Sequence, residues 1–187
     1  MASVNLREEA ALMLTRSSIV AELDIHDARV IVDAMRPMAV KAGTIIMTEG
    51  QTDDVDYMAL VLEGQVRAEG TGVGDGDEVV ISVIDAGQLF GEMGLIDGSP
   101  RSATCTALTD LKLAVLTRKA LRGLVEVQPA VAARLMLSIS RALAERLRES
   151  NRRLRTLSQI SRAMQAELGA VHAVNKRLLA AQARKAG

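Results

Sequence analysis

At 187 residues, with 49% apolar and 25% charged residues and a net charge of zero, the chain can bury a substantial core and is too apolar for a disordered polymer. Its one cysteine, Cys105, excludes an internal disulfide and suits a reducing compartment, and no apolar run approaches the ~20 residues that span a bilayer. The N-terminus has no basic start followed by an apolar stretch, so no secretory signal is expected and the cytoplasm is the default location.

The zero sum hides an asymmetry. Residues 1–127 hold 11 Lys and Arg against 20 Asp and Glu, whereas residues 128–187 hold 12 against 3. A half at minus nine followed by one at plus nine predicts two structural units with different surroundings, residues 1–128 and 129–187.

Helical periodicity opens the first unit in "LREEAALMLTRSSIVAEL" and resumes after Asp24 in "DIHDARVIVDAM", which Pro37 is expected to end. Strand character follows at 44–48, 57–62, 65–69, 78–84, 102–107 and 111–117, with glycines at the breaks. Many short strands at close spacing predict an antiparallel sandwich or small barrel rather than a parallel sheet. Tyr57 and Phe90 are the only aromatics, so the core must be built from Val, Ile, Leu, Ala and Met, and the nine Met read as filler rather than ligands. Within the alternating run "SATCTAL", Cys105 reads as a small buried residue rather than a nucleophile.

"GTGVGDG", residues 70–76, imitates a dinucleotide fingerprint, but that motif needs a helix directly after it. Here "DEVVISVI" continues as strand, so a flexible hairpin loop is expected. His26 and His172 have no Cys or His partner at ligand spacing, and no metal is expected. Two helical histidines and one strand cysteine allow no Ser-His-Asp or Cys-His arrangement, so no catalytic residue is assigned and the chain is read as a non-enzyme.

The second unit starts at Pro129, a good first-turn residue, and meets no further proline. Leu143, Leu147, Ser150, Leu154, Leu157, Ser161, Met164, Leu168, Val171, Asn175 and Leu178 alternate spacings of four and three, a heptad stripe diluted by its polar members. A continuous helix over Pro129–Ala183 would run roughly 80 Å at ~1.5 Å per residue and cannot cover its own stripe. It pairs with another chain, or it breaks near Ser150–Asn151 or Gly169 and folds back. Packing of residues 129–150 on the first unit is compatible with either.

The most specific chemistry lies in "FGEMGLIDGSPRSATC", Phe90–Cys105. Gly98, Ser99 and Pro100 form a turn that can fold Arg101 back towards Glu92. Arg101 offers a planar fork of donors to a phosphodiester, and Ser102 adds a hydroxyl. Gly91 and Gly94 let backbone amides approach, while an ionised Glu92 suits a ribose hydroxyl better than a phosphate. A carboxylate for sugar and a guanidinium for phosphate together describe a nucleotide; a surface salt bridge beside a turn is the plain alternative.

"GQLFGEMGLIDGSPRSAT" resembles the phosphate-binding cassette of the cyclic-nucleotide-binding domain family, and "KAGTIIMTEGQ" with "ALVLEGQVRA" resembles its first strands. The resemblance covers residues 17–150. It implies an α+β fold: an antiparallel, jelly-roll-like β-roll flanked by N-terminal helices and followed by a long C-terminal coiled-coil helix. It also implies that Glu92 holds the ribose 2′-hydroxyl, Arg101 the cyclic phosphate and Ser102 a phosphate oxygen, with Gly91 and Met93 making backbone contacts. Where related regulators often place a Thr-Ser pair over the adenine, the same count reaches Arg146-Leu147 here. Arg146 either stacks on the base or is a solvated helix residue. Residues 151–187 show no strand pair and no recognition-helix pattern, so sequence-specific DNA is not an expected partner.

The expected function is a non-enzymatic cyclic-nucleotide sensor, for cyclic AMP ahead of cyclic GMP, with cyclic di-GMP an alternative ligand. It would act as a homodimer and signal through the C-terminal helix to a protein effector. Two rivals remain: a binder of nucleic acid or an anionic surface through the basic tail, and a ligand-free oligomerisation scaffold.

Overall fold

The computed structural model describes residues 2–16, 23–71 and 78–185. Two compact units divide the chain, Met1–Ala142 and Leu143–Gly187. The first contains helices α1 (Ala2–Arg16) and α2 (Ile25–Asp33), then strands β1 (Arg36–Val40), β2 (Ile45–Met47), β3 (Tyr57–Glu63), β4 (Val66–Thr71), β5 (Glu78–Ile84) and β6 (Leu89–Phe90). Helix α3 (Glu92–Asp97), strands β7 (Thr104–Ala107) and β8 (Leu111–Thr117) and helix α4 (Arg118–Val127) follow, and α5 (Pro129–Lys185) begins in this unit.

The strands form two antiparallel four-stranded sheets, ordered β1-β8-β3-β6 and β2-β7-β4-β5. Their alternation explains the core. Ala59 and Val61 on β3, Val66 and Ala68 on β4, Cys105 and Ala107 on β7, and Leu111, Leu113 and Val115 on β8 point inward with Met47, Ile84 and Phe90. Met58, Leu60 and Leu116 are equally buried on alternate positions of β3 and β8, the strands that pack against α1, α3 and α4. This is the expected antiparallel β-roll.

Strands β5 and β8 occupy the predicted residues, and four others lie within two residues of expectation. Three elements correct the sequence reading. Pro37 does not end a helix: α2 stops at Asp33, and Pro37 is the second residue of β1, paired opposite Ala114. β1 is an edge strand, where a missing N–H is tolerated. β6 is two residues long, too short to show a period. α4 was not expected because no loop precedes it. The last residue of β8, Thr117, serves as its N-cap, the hydroxyl accepting from the Ala120 N–H at 3.2 Å, and Leu121 and Leu124 are its buried face. Gly70 and Thr71 belong to β4, and the remainder of the glycine-rich stretch lies outside the described residues.

Helix α2 is capped by Asp24, whose carboxylate accepts from the Asp27 N–H at 2.8 Å. Asp27 is itself buried, gripped by Arg134 of α5 through Nε at 2.6 Å and Nη2 at 2.5 Å. That fork ties α2 to the start of α5. There Val131, Ala132, Leu135, Ser138, Ile139 and Ala142 form one buried face.

The second unit is helical. α5 runs as one helix to Lys185, so neither break considered from the sequence occurs, and Leu147, Leu154, Leu157, Met164 and Leu168 are 61 to 65% exposed. No helix among the described residues is long and apolar enough to cross a membrane.

Candidate functional site

The cassette is built on a turn, one short helix and a return. Gly91 is the N-cap of α3 in the left-handed region at φ 77°, and a Cβ there would lie 2.6 Å from Met47 Cε and 3.1 Å from the Tyr57 carbonyl oxygen. At Gly94 a Cβ would meet the Val55 carbonyl oxygen at 2.6 Å. A side chain at Gly94 would push α3 off the β2–β3 loop, and one at Gly91 would be strained by its left-handed backbone. The glycine bracket therefore lets α3 lie against the β2–β3 loop. Glu92, the first residue of α3, is buried, whereas Met93 beside it is 46% exposed.

After α3 the chain turns at Gly98, with the Ser99 N–H donating to Asp97 Oδ1 at 2.9 Å. This bond, ahead of any other cause, holds the Asp97 carboxyl below its ordinary range. The return brings Arg101 alongside residues 50 and 51: its N–H donates to the Gln51 carbonyl at 3.0 Å and its own carbonyl accepts from Gly50 at 2.8 Å.

The Arg101 side chain points inward and is only 5% exposed. Nη1 donates to the carbonyls of Tyr57 at 3.1 Å and Gly91 at 3.2 Å, Nη2 donates to the Asp54 carbonyl at 2.9 Å, and Cζ stands 4.5 Å from the centroid of the Tyr57 ring. Burial shifts the guanidinium below its ordinary pKa. Nε is also buried but has no acceptor. A buried donor without an acceptor costs about 1–3 kcal/mol, and such groups in folded proteins ask for an explanation. Asp54 adds a second irregularity: it is a non-glycine residue at φ 51°, in the conformation that presents its carbonyl to Arg101.

The other end of α3 is held by Arg118, the first residue of α4. Its Nε donates to the Leu95 carbonyl at 3.0 Å and its Nη2 to the Gly94 carbonyl at 2.5 Å, which also accepts from the Gly98 N–H at 3.0 Å, so the end of the helix is held from two sides. Ser102 Oγ lies 3.7 Å from Met93 Sδ, so hydroxyl and thioether share the exposed side of the cassette. Gly91, Glu92, Met93, Arg101 and Ser102 are thus gathered at one short helix and its return. Arg146 stands on the second unit, exposed on α5.

Comparison with known proteins agrees with this geometry. The family model described as "Cyclic nucleotide-binding domain" matches residues 37–128, from β1 to the end of α4. A crystal structure of a cyclic nucleotide-binding domain from Methylobacillus flagellatus is 30% identical, with a TM-score of 0.69 over 80% of this chain and 82% of that one. The chain belongs to the cyclic nucleotide-binding domain family. The N-terminal domain of a transcriptional regulator from Streptomyces coelicolor is 34% identical, TM-score 0.61, over 74% of this chain and 92% of that domain. A CRP-like cAMP-activated global transcriptional regulator of Mycobacterium tuberculosis is 26% identical over 145 residues, which are 78% of this chain but 62% of the regulator.

Within this cyclic nucleotide-binding domain, three contributors escaped the sequence reading. Tyr57 and Arg118 act through residues 44 and 24 positions away, so no local pattern marks them. Asp54 contributes a carbonyl, which its residue type does not announce. The single hint was Tyr57 itself, one of two aromatics in the chain. Cys105 is buried on β7, and burial pushes its thiol up to about 11, opposite to what a nucleophile requires. Among the described residues no group of three or more His, Cys, Asp and Glu could hold a metal ion.

Proposed function

We propose that the chain is a non-enzymatic sensor of a 3′,5′-cyclic mononucleotide, cyclic AMP ahead of cyclic GMP, that works in the cytoplasm as a homodimer and passes its signal through α5 to a protein effector. The observation that carries this reading is Arg101: a buried cation whose Nε lacks an acceptor, set in the family's cassette. A cyclic phosphodiester carries one negative charge, and a guanidinium with donors to spare is its natural partner. Arg101 takes the phosphate and Ser102 one of its oxygens, Glu92 takes the ribose 2′-hydroxyl, and Gly91 and Met93 contribute backbone contacts. Cyclic AMP is favoured because the name of the mycobacterial relative describes it as activated by that ligand.

Residues 1–128 then serve recognition and residues 129–187 dimerisation and output. The exposed apolar stripe of α5 supports this division. Calorimetric titration with cyclic AMP, cyclic GMP, cyclic di-GMP and 2′-deoxy cyclic AMP tests the reading. Cyclic AMP should bind most tightly and its 2′-deoxy analogue more weakly in wild type, with the two nearly equal in Glu92→Gln. Equal binding of both by wild type would remove Glu92 from the ribose.

A further inference from the structure

The guanidinium of Arg101 has five N–H donors. Three are engaged by carbonyls: two on Nη1, to Tyr57 and Gly91, and one on Nη2, to Asp54. The Nε–H has no acceptor, and it lies in the guanidinium plane along the edge it shares with Nη2. Where that edge faces depends on how the plane is oriented, and the surface against which the plane lies is the ring of Tyr57, 4.5 Å from Cζ. Tyr57 touches Arg101 twice, with its ring and with its own carbonyl at 3.1 Å. It is anchored in turn, since its hydroxyl donates to the Ile46 carbonyl of β2 at 3.2 Å.

The geometry points to Tyr57 as a positioning residue for the site: its ring and carbonyl set the plane of Arg101 so that Nε and Nη2 together face a phosphate. This deepens the proposed function and rests on it. A cation over an aromatic face gains from the ring's quadrupole, most when water is excluded, and Tyr57 is half-buried. Aliphatic side chains fill the same space without that preference, so they keep the core packed and leave the plane to the three carbonyls alone. The hydroxyl bond to Ile46 anchors the ring but does not touch Arg101, which makes phenylalanine the conservative replacement.

The test compares the full-length chain with Tyr57→Phe and Tyr57→Leu in three readouts: calorimetric affinity for cyclic AMP, thermal midpoint, and the Arg101 Nε–H signal in a proton–nitrogen NMR spectrum, assigned by its loss in Arg101→Lys. Tyr57→Phe should bind within about twofold of wild type and keep the ring-current shift of the Nε–H proton. Tyr57→Leu should lose that shift and weaken binding about tenfold. A Tyr57→Leu chain with a lowered midpoint but unchanged affinity and unchanged Nε–H signal would reduce Tyr57 to packing and overturn the inference. So would Tyr57→Phe as weak as Tyr57→Leu, because the hydroxyl would then matter rather than the ring. Should Tyr57→Leu fail to fold, the wild-type spectrum decides alone: an Nε–H proton without a ring-current shift contradicts the positioning. Wild type that binds none of the cyclic nucleotides would sink the proposed function, while the spectrum still judges the contact between Tyr57 and Arg101.

Discussion

Two arginines in this chain meet their partners in opposite ways, and the contrast separates a complete ion pair from a cation with a donor left over. Arg134 gives a two-pronged bond to one buried carboxylate, Asp27, and this bond is the foremost reason that the Asp27 carboxyl sits below its ordinary range. Arg101 has carbonyls in place of a carboxylate and retains an unused donor. The first is a complete pair and the second is not. Because the folded pKa of Asp27 is lowered, its contribution to stability is fully present above the ordinary value of 3.8, and it is lost as pH falls through the lower folded value. Urea unfolding of wild type and Asp27→Asn should therefore differ by a constant amount from pH 5 to 7, with wild type more stable, and converge below about pH 4. A difference that grows as pH falls would contradict the sign. At this scale the sequence announced Arg101 through the glycine bracket and proline turn that precede it. It was silent on Tyr57 and Arg118, whose roles exist only once β3, α3 and α4 have met.

Elements were easiest to read where one period governs one face. β5 and β8 are apolar-rich runs that begin directly after the acidic breaks at Asp77 and Asp110, and the heptad spacing of α5 follows from its leucines. Reading failed where two elements share a residue, as at Thr117, or where a breaker is tolerated at an edge, as at Pro37. Helix α5 combines two surfaces under one period. Leu135 has no exposed surface within the first unit, while Leu157 in the second is 61% exposed. Leu135→Ala should lower the stability of the first unit by ~2–5 kcal/mol, as truncation of a fully buried leucine does, without changing the chain's association. Leu157→Ala should leave the unfolding midpoint of the first unit nearly unchanged and weaken a dimer in light scattering. A monomeric wild-type chain, or a dimer indifferent to Leu157, would contradict pairing through this stripe.

For the molecule as a whole, the charge asymmetry and the cassette suggest different partners. A chain that is minus nine over its first 127 residues and plus nine over the remainder could bind an anionic polymer with its basic half alone. A nucleotide held by Arg101 and Glu92 instead engages the acidic half at one defined place. The two differ in salt dependence and in sensitivity to a single side chain. Arg101→Ala removes the cation proposed to meet the phosphate, and truncating one partner of a buried charged pair costs ~2–5 kcal/mol. The most direct measurement is calorimetric titration of the full-length wild type and of Arg101→Ala with cyclic AMP at low and high salt. We expect one ligand per chain, affinity changing little with salt, and a loss of roughly 30-fold or more in Arg101→Ala. Equal affinity of the two proteins for cyclic AMP would show that Arg101 does not hold the phosphate.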